Sequence, residues 1–150
     1  MRIWVDADAC PRVIRDIVIR AAEKRAIETT FVANQSLSLP PSPWVRAVRV
    51  PGGFDAADRH IAEAVQPGDL VITADIPLAS AVIAKGGLAL NPRGTLYDES
   101  NIGERLAVRD MLEELRDQRR VRGGPPPLDQ KDRAAFANQF DRLLARAAQG

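Results

Sequence analysis

Two aspartates one residue apart, Asp6 and Asp8, end the apolar run Ile3-Trp4-Val5, and a third, Asp75, closes the run Leu70-Val71-Ile72-Thr73-Ala74. Carboxylates do acid–base chemistry and bind hard cations. Gathered at one place they repel: at about 4 Å and an effective dielectric of about 20, each like pair costs roughly 4 kcal/mol. Such a cluster takes up a proton, a hard cation or another positive group. Mg2+ and Mn2+ suit it, because they prefer oxygen ligands; an ion so held activates water and stabilises the leaving oxygen of a phosphoryl displacement. Asp55 and Asp58, three apart, share one face of a predicted helix and are further candidate ligands. The plainer alternatives are that Asp55 is an N-cap, that Asp58 decorates a first helical turn, and that the other three are solvated strand-end carboxylates.

The elements that must position these residues follow from the pattern of apolar positions. Arg2 to Asp6 reads as a strand, and Pro11 to about Lys24 as an amphipathic helix with Ile14, Val18 and Ala22 on its apolar side. Glu28 to Ala33 is a second strand, Asn34 to Pro43 a Ser- and Pro-rich surface loop, and Trp44 to Val50 a short third strand. A helix capped by Asp55 ends at Pro67-Gly68-Asp69. Leu70 to Thr73 is the most apolar strand, Pro77 opens a helix that Gly86-Gly87 ends, and Leu88 to Leu90 is expected to be the final strand, followed by the Asn91-Pro92-Arg93-Gly94 turn. A long charged helix runs to about Arg120, Val121 to Pro127 is a Gly- and Pro-rich linker, and a last helix opened by Asp129 and Asp132 buries Phe136, Phe140, Leu143 and Leu144.

Strand–helix alternation with long apolar strands predicts an α/β fold, a three-layer sandwich with a mostly parallel sheet and added C-terminal helices. In such sheets ligands bind beyond the carboxyl ends of the strands, where strand order reverses. Asp6, Asp8 and Asp75 all stand at carboxyl ends, which is the argument for a shared site.

Composition narrows the classes. The chain has 150 residues, the size of one domain, with 45% apolar residues and a formal net charge of +1, so bulk charge gives no argument for nucleic acid or membrane. The single cysteine, Cys10, excludes an internal disulfide; no leader and no apolar stretch of about 20 residues is seen, so a cytoplasmic location is expected. One His and one Cys cannot build a zinc site, and no phosphate-cradling glycine loop is present. Cys10 reads as a small buried residue at a helix start, His60 as a surface histidine, and Ser80 has no base to activate it. The arginines from Arg105 to Arg122 alternate with acids and read as a solvated face, although Arg119 to Gly124 is less balanced and suits phosphates. Arg93 is placed at the same sheet edge as the acids, where it would clamp a phosphate or stand in solvent.

The blocks Val5-Asp6-Ala7-Asp8-Ala9-Cys10-Pro11, Gly53-Phe54-Asp55-Ala56-Ala57-Asp58, Gly68 to Ala79, Asn91-Pro92-Arg93-Gly94 and Leu96 to Ile102 resemble the YaiI/YqxD family of bacterial proteins over nearly the whole chain. That family looks distantly like PIN-domain nucleases, which use an acidic cluster to bind Mg2+ or Mn2+ and cut RNA or flapped DNA. The resemblance implies a PIN-like fold, with Asp6, Asp8, Asp75 and one of Asp55 and Asp58 as metal and catalytic residues. It also implies a substrate pocket peculiar to the group around Asn91, Arg93, Asp98 and Asn101. The implied partner is RNA or another nucleic acid, with no membrane; self-association is left open. Two other readings stand beside the nuclease. One is a haloacid-dehalogenase-type phosphatase with Asp6 as nucleophile, Asp8 as general acid, Thr73 as its threonine and Lys85 as its lysine. The other is a nucleotide-, nucleic-acid- or protein-binding module that does not cut.

Overall fold

A computed structural model describes residues 1–53, 55–117 and 127–149. Strands β1 (Ile3–Asp6), β2 (Thr29–Ala33), β3 (Val45–Arg49), β4 (Leu70–Ile72), β5 (Leu88–Leu90) and β6 (Leu96–Tyr97) form one sheet in the order β3-β2-β1-β4-β5-β6. The first five are parallel; β6 pairs antiparallel with β5. The helices are α1 (Arg12–Arg25), α2 (Ala56–Ala64), α3 (Ile76–Ala84), α4 (Ile102–Asp117) and α5 (Gln130–Gln149), with a short 3-10 turn at Ala7–Ala9. The Val121–Pro127 linker and the Arg119–Gly124 basic run lie, apart from Pro127, outside the described residues.

Alternation along each strand divides the core into two layers, because successive side chains point to opposite faces. Ile3, Val5, Phe31, Leu70, Ile72 and Leu90 pack with Ile14 and Val18 of α1 and with Phe136, Phe140, Leu143 and Leu144 of α5. Trp4, Val32, Val71 and Ala89 pack with Ile61 of α2, Leu78 and Val82 of α3 and Ile102 of α4. The result is the expected three-layer α/β sandwich. Burial on both faces explains the near-continuous apolar composition of the central strands.

Expectation and structure differ at the sheet's edge. Leu88–Leu90 is not the last strand: the turn at 91–94 is tight enough to fold Leu96–Tyr97 back as β6. A two-residue strand carries no readable alternation. Asp69, at the amino end of the central strand β4, is buried and accepts from the backbone N–H of Arg2 (3.1 Å) and of Gln66 (3.0 Å) and from Trp4 Nε1 (3.2 Å). It locks the start of β4 beside the start of β1.

Candidate acidic site at the strand-order reversal

β1 has β2 on one side and β4 on the other, so the chain winds outward in both directions from the β1–β4 pair. The parallel register sets Trp4 beside Val71 and Val5 beside Ile72; one step further, Asp6 stands beside Thr73. Both share the face of Trp4 and Val71, against which α2 packs, by the two-residue repeat of strands. Thr73 Oγ1 donates to Asp6 Oδ2 at 3.0 Å and accepts from the Asp75 backbone N–H at 2.9 Å. Asp75 in turn caps α3, its Oδ1 accepting from the Leu78 N–H at 2.8 Å. Side chains from β1 and from the end of β4 are thereby fixed to one another.

α2 adds the third carboxyl. Asp58 lies within hydrogen-bonding reach of both Asp6 and Asp75. Partial burial, and then the negative charges of Asp6 and Asp75, push it up to about 8. Asp6 is also raised, chiefly by burial, with the Thr73 hydrogen bond opposing. At neutral pH Asp58 therefore keeps its proton where no cation relieves the repulsion. Asp8 sits at the rim, its Oδ2 accepting from the Asn34 N–H at 2.9 Å. Asp55 occupies the N-cap position of α2 with φ 59°, but its side chain makes no capping bond and lies 3.5 Å from Arg59 Nε. Of the two α2 acids, Asp58 therefore engages the other carboxyls, while Asp55 stands at the margin.

A pocket of about 340 Å3 is lined by Asp6, Asp8, Asp55, Asp58 and Asp75, together with Asn34. From the sequence, Asn34 opens a Ser- and Pro-rich surface loop. Its signal was its place directly after β2, at the same carboxyl edge as Asp6. Its Oδ1 is buried without a hydrogen-bond partner among the described residues. Among the described residues, no Lys or Arg lies within ion-pairing distance of Asp6, Asp8, Asp58 or Asp75. Nor is any group of three or more His, Cys, Asp and Glu among the described residues spaced as a ready-made metal cage. In donor chemistry, carboxyl oxygens and an orphaned amide oxygen fit Mg2+ or Mn2+, and no thiolate or imidazole favours a softer ion.

The other expected site residues are placed elsewhere. Arg93 does not clamp the acidic pocket: its Nη1 donates to Asp132 Oδ2 at 2.6 Å, tying the β5–β6 turn to the start of α5. Asn91 shapes that turn, accepting from the Arg93 N–H at 2.7 Å and donating to the Tyr97 hydroxyl at 2.9 Å. Asn101 joins β6 to α4, donating to the Leu96 carbonyl at 3.0 Å and accepting from the Asp98 N–H at 2.9 Å. Lys85, the lysine of the phosphatase reading, donates to the Ala62 and Glu63 carbonyls at the end of α3 opposite Asp75, so that reading lacks its cation. Cys10 is buried, and burial pushes its thiol up to about 12, which leaves it unreactive. His60 packs edge-on against Trp4, with ring centroids 6.4 Å apart.

Fold and site together define an α/β sandwich with an acidic pocket at its strand-order reversal. The profile described as "Uncharacterized BCR, YaiI/YqxD family" matches residues 4–146, and the chain belongs to that family. It is similar to a UPF0178 protein of Shewanella amazonensis, 60% identical over 97% of this chain and 98% of that one. It is 62% identical to a UPF0178 protein of Bordetella avium over 99% and 96%, and 59% identical to one of Thioalkalivibrio sulfidiphilus over 97% and 99%. No solved structure matches the chain. No helix among the described residues is long and apolar enough to cross a membrane.

Proposed function

We propose that the chain is a Mg2+- or Mn2+-dependent phosphodiesterase that hydrolyses nucleic acid, RNA foremost. The observation that carries the reading is the convergence of Asp6, Asp58 and Asp75 from three elements with no basic partner among the described residues. A divalent ion, when bound, would neutralise the phosphate and acidify water, so no histidine base is required. The chain's own residues supply the frame. Thr73 orients the Asp6 carboxylate, the α3 cap fixes Asp75, and Asp58 exchanges its proton for the ion. Asp8 and Asn34 stand at the rim, where water or a phosphate oxygen enters. The distant resemblance of the YaiI/YqxD family to PIN-domain nucleases agrees with this reading.

The decisive experiment follows a labelled single-stranded RNA with the wild type in Mn2+, in Mg2+ and in EDTA, beside Asp6→Asn and Asp75→Asn. Metal-dependent cleavage that both substitutions abolish supports the proposal. A metal-induced rise in Tm without cleavage of any RNA or DNA would make the protein a binding module instead.

A further inference from the structure

A second and larger cavity, about 620 Å3, lies along α1. Arg12, Arg15 and Arg20 line one side, and Ser38, Leu39 and Pro40 of the β2–β3 loop the other. Asp16 is the one carboxylate among the described residues in its lining. Among the described residues, none of the three arginines lies within ion-pairing distance of a carboxylate. Arg12 and Arg20 are exposed, as a solvated helix face would be, but Arg15 is half-buried and its Nε is shut off from solvent with no acceptor among the described residues. A buried N–H donor left without an acceptor is destabilising, and an anion in the groove would complete it.

The two cavities share no lining residue, but both walls of the groove begin close in sequence to the acidic pocket. Asp8 precedes Arg12 by four residues, and Asn34 precedes Ser38 by four, a reach of at most about 14 Å of extended chain. From Arg12 to Arg20 the helix rises about 12 Å, more than a single phosphate spans. We infer that this groove binds the phosphodiester backbone of a nucleic-acid strand and delivers it to the acidic pocket. Arginine suits phosphate by its forked donors, and Leu39 and Pro40 give an apolar wall for sugars and bases. The choice of ligand rests on the phosphodiesterase reading; the uncompensated charge does not.

The test is fluorescence anisotropy with a labelled single-stranded RNA in EDTA, where no cleavage occurs, over a series of salt concentrations. Arg12→Ala with Arg20→Ala removes two exposed charges and leaves the core untouched. We expect at least a tenfold loss of affinity, and a salt slope shallower by roughly 1.4, because each phosphate contact contributes about 0.7 on a single strand. Adding Arg15→Met, which keeps the apolar stem, lowers both further. Wild-type affinity and slope in the double variant would overturn the inference. So would binding of phosphatidylglycerol vesicles with no binding of RNA. RNA binding that depends on these arginines, without cleavage in any metal, would sink the nuclease reading and leave the groove standing.

Discussion

Thr73 Oγ1 donates to Asp6 Oδ2 at 3.0 Å, across the junction of β4 and β1. The same hydroxyl accepts from the Asp75 N–H, so one threonine orients two acids remote in sequence. Thr73→Val keeps the shape and removes both bonds. The expected cost is about 1–3 kcal/mol, since a buried carboxyl and a backbone N–H lose partners. Thr73→Ser restores most of it. Loss of the bond also raises Asp6 further, because that bond opposes burial, so Mn2+ binds more weakly at neutral pH. Urea midpoints and Mn2+ titrations of the two variants check both effects.

Asp58 fixes the sign of the pH dependence. Its folded value, about 8, stands above the 3.8 of an ordinary aspartate, chiefly through burial and then through the charges of Asp6 and Asp75. Between those values the folded chain keeps a proton that the unfolded chain has released, so stability falls as pH rises. The contribution is present in full below 3.8 and is lost as the pH climbs through about 8. Asp6, also raised, acts in the same direction. Asp98, held down first by the Ser100 hydroxyl, and Asp129, held down first by the Asp132 N–H, act oppositely, and their share is lost as pH falls below 3.8. In EDTA the urea midpoint should therefore drop from about pH 5 to about pH 8, and Asp58→Asn should flatten the profile. Saturating Mn2+ reverses the trend, because ligands must shed protons to bind. A midpoint rising over that range in EDTA would place Asp58 ionised in the folded state.

Gly94 is where the β5–β6 turn meets α5. Its φ is 95°, and a Cβ there would lie 2.6 Å from the Ala135 carbonyl carbon and 2.8 Å from the Phe136 nitrogen, both backbone atoms that cannot step aside. Gly94→Ala should cost about 2–4 kcal/mol and expose α5 to protease. The Arg93–Asp132 pair crosses the same contact, and a double-mutant cycle there should give a coupling of about 1 kcal/mol. Neither change should alter the Mn2+-induced rise in Tm. If both abolish it, the α5 contact and the acidic pocket form one cooperative unit.

The architecture was legible because burial writes itself into composition: Leu70 to Ile72 is apolar on both faces, and Phe136, Phe140, Leu143 and Leu144 repeat with helical spacing. The meeting of Asp6 with Asp75 was legible from where each strand stops. The choice between Asp55 and Asp58 was not. It depends on α2 beginning only after a left-handed Asp55, which turns Asp58 toward β1, and three-residue spacing cannot fix that rotation. The partner of Arg93 was not legible either, because a turn arginine at the right sheet edge carries no mark of it, and Asp132 is 39 residues away. Asn34 and Arg15 were invisible for a related reason: their signal is a missing hydrogen bond, which exists only in three dimensions.

Asn34 offers the sharpest separation of an ion site from a merely protonated cluster. Its N–H already serves Asp8, while its buried Oδ1 has no donor, in a pocket whose carboxyls already crowd one another. If that oxygen faces a cation or the cation's water, Asn34→Ala should weaken Mn2+ by about tenfold or more, in the range seen for residues that support metal ligands. Without metal the same substitution should be neutral or slightly stabilising, because it removes an unsatisfied buried acceptor. Asn34→Asp makes the opposite demand: one more negative charge lowers the urea midpoint in EDTA and enlarges the Mn2+-induced rise in Tm. Stability and affinity thus move in opposite directions in each variant, a pattern that simple damage to the fold cannot produce. Mn2+ affinities of both variants within twofold of wild type would separate Asn34 from the ion, and leave the pocket's carboxyls as its candidate donors.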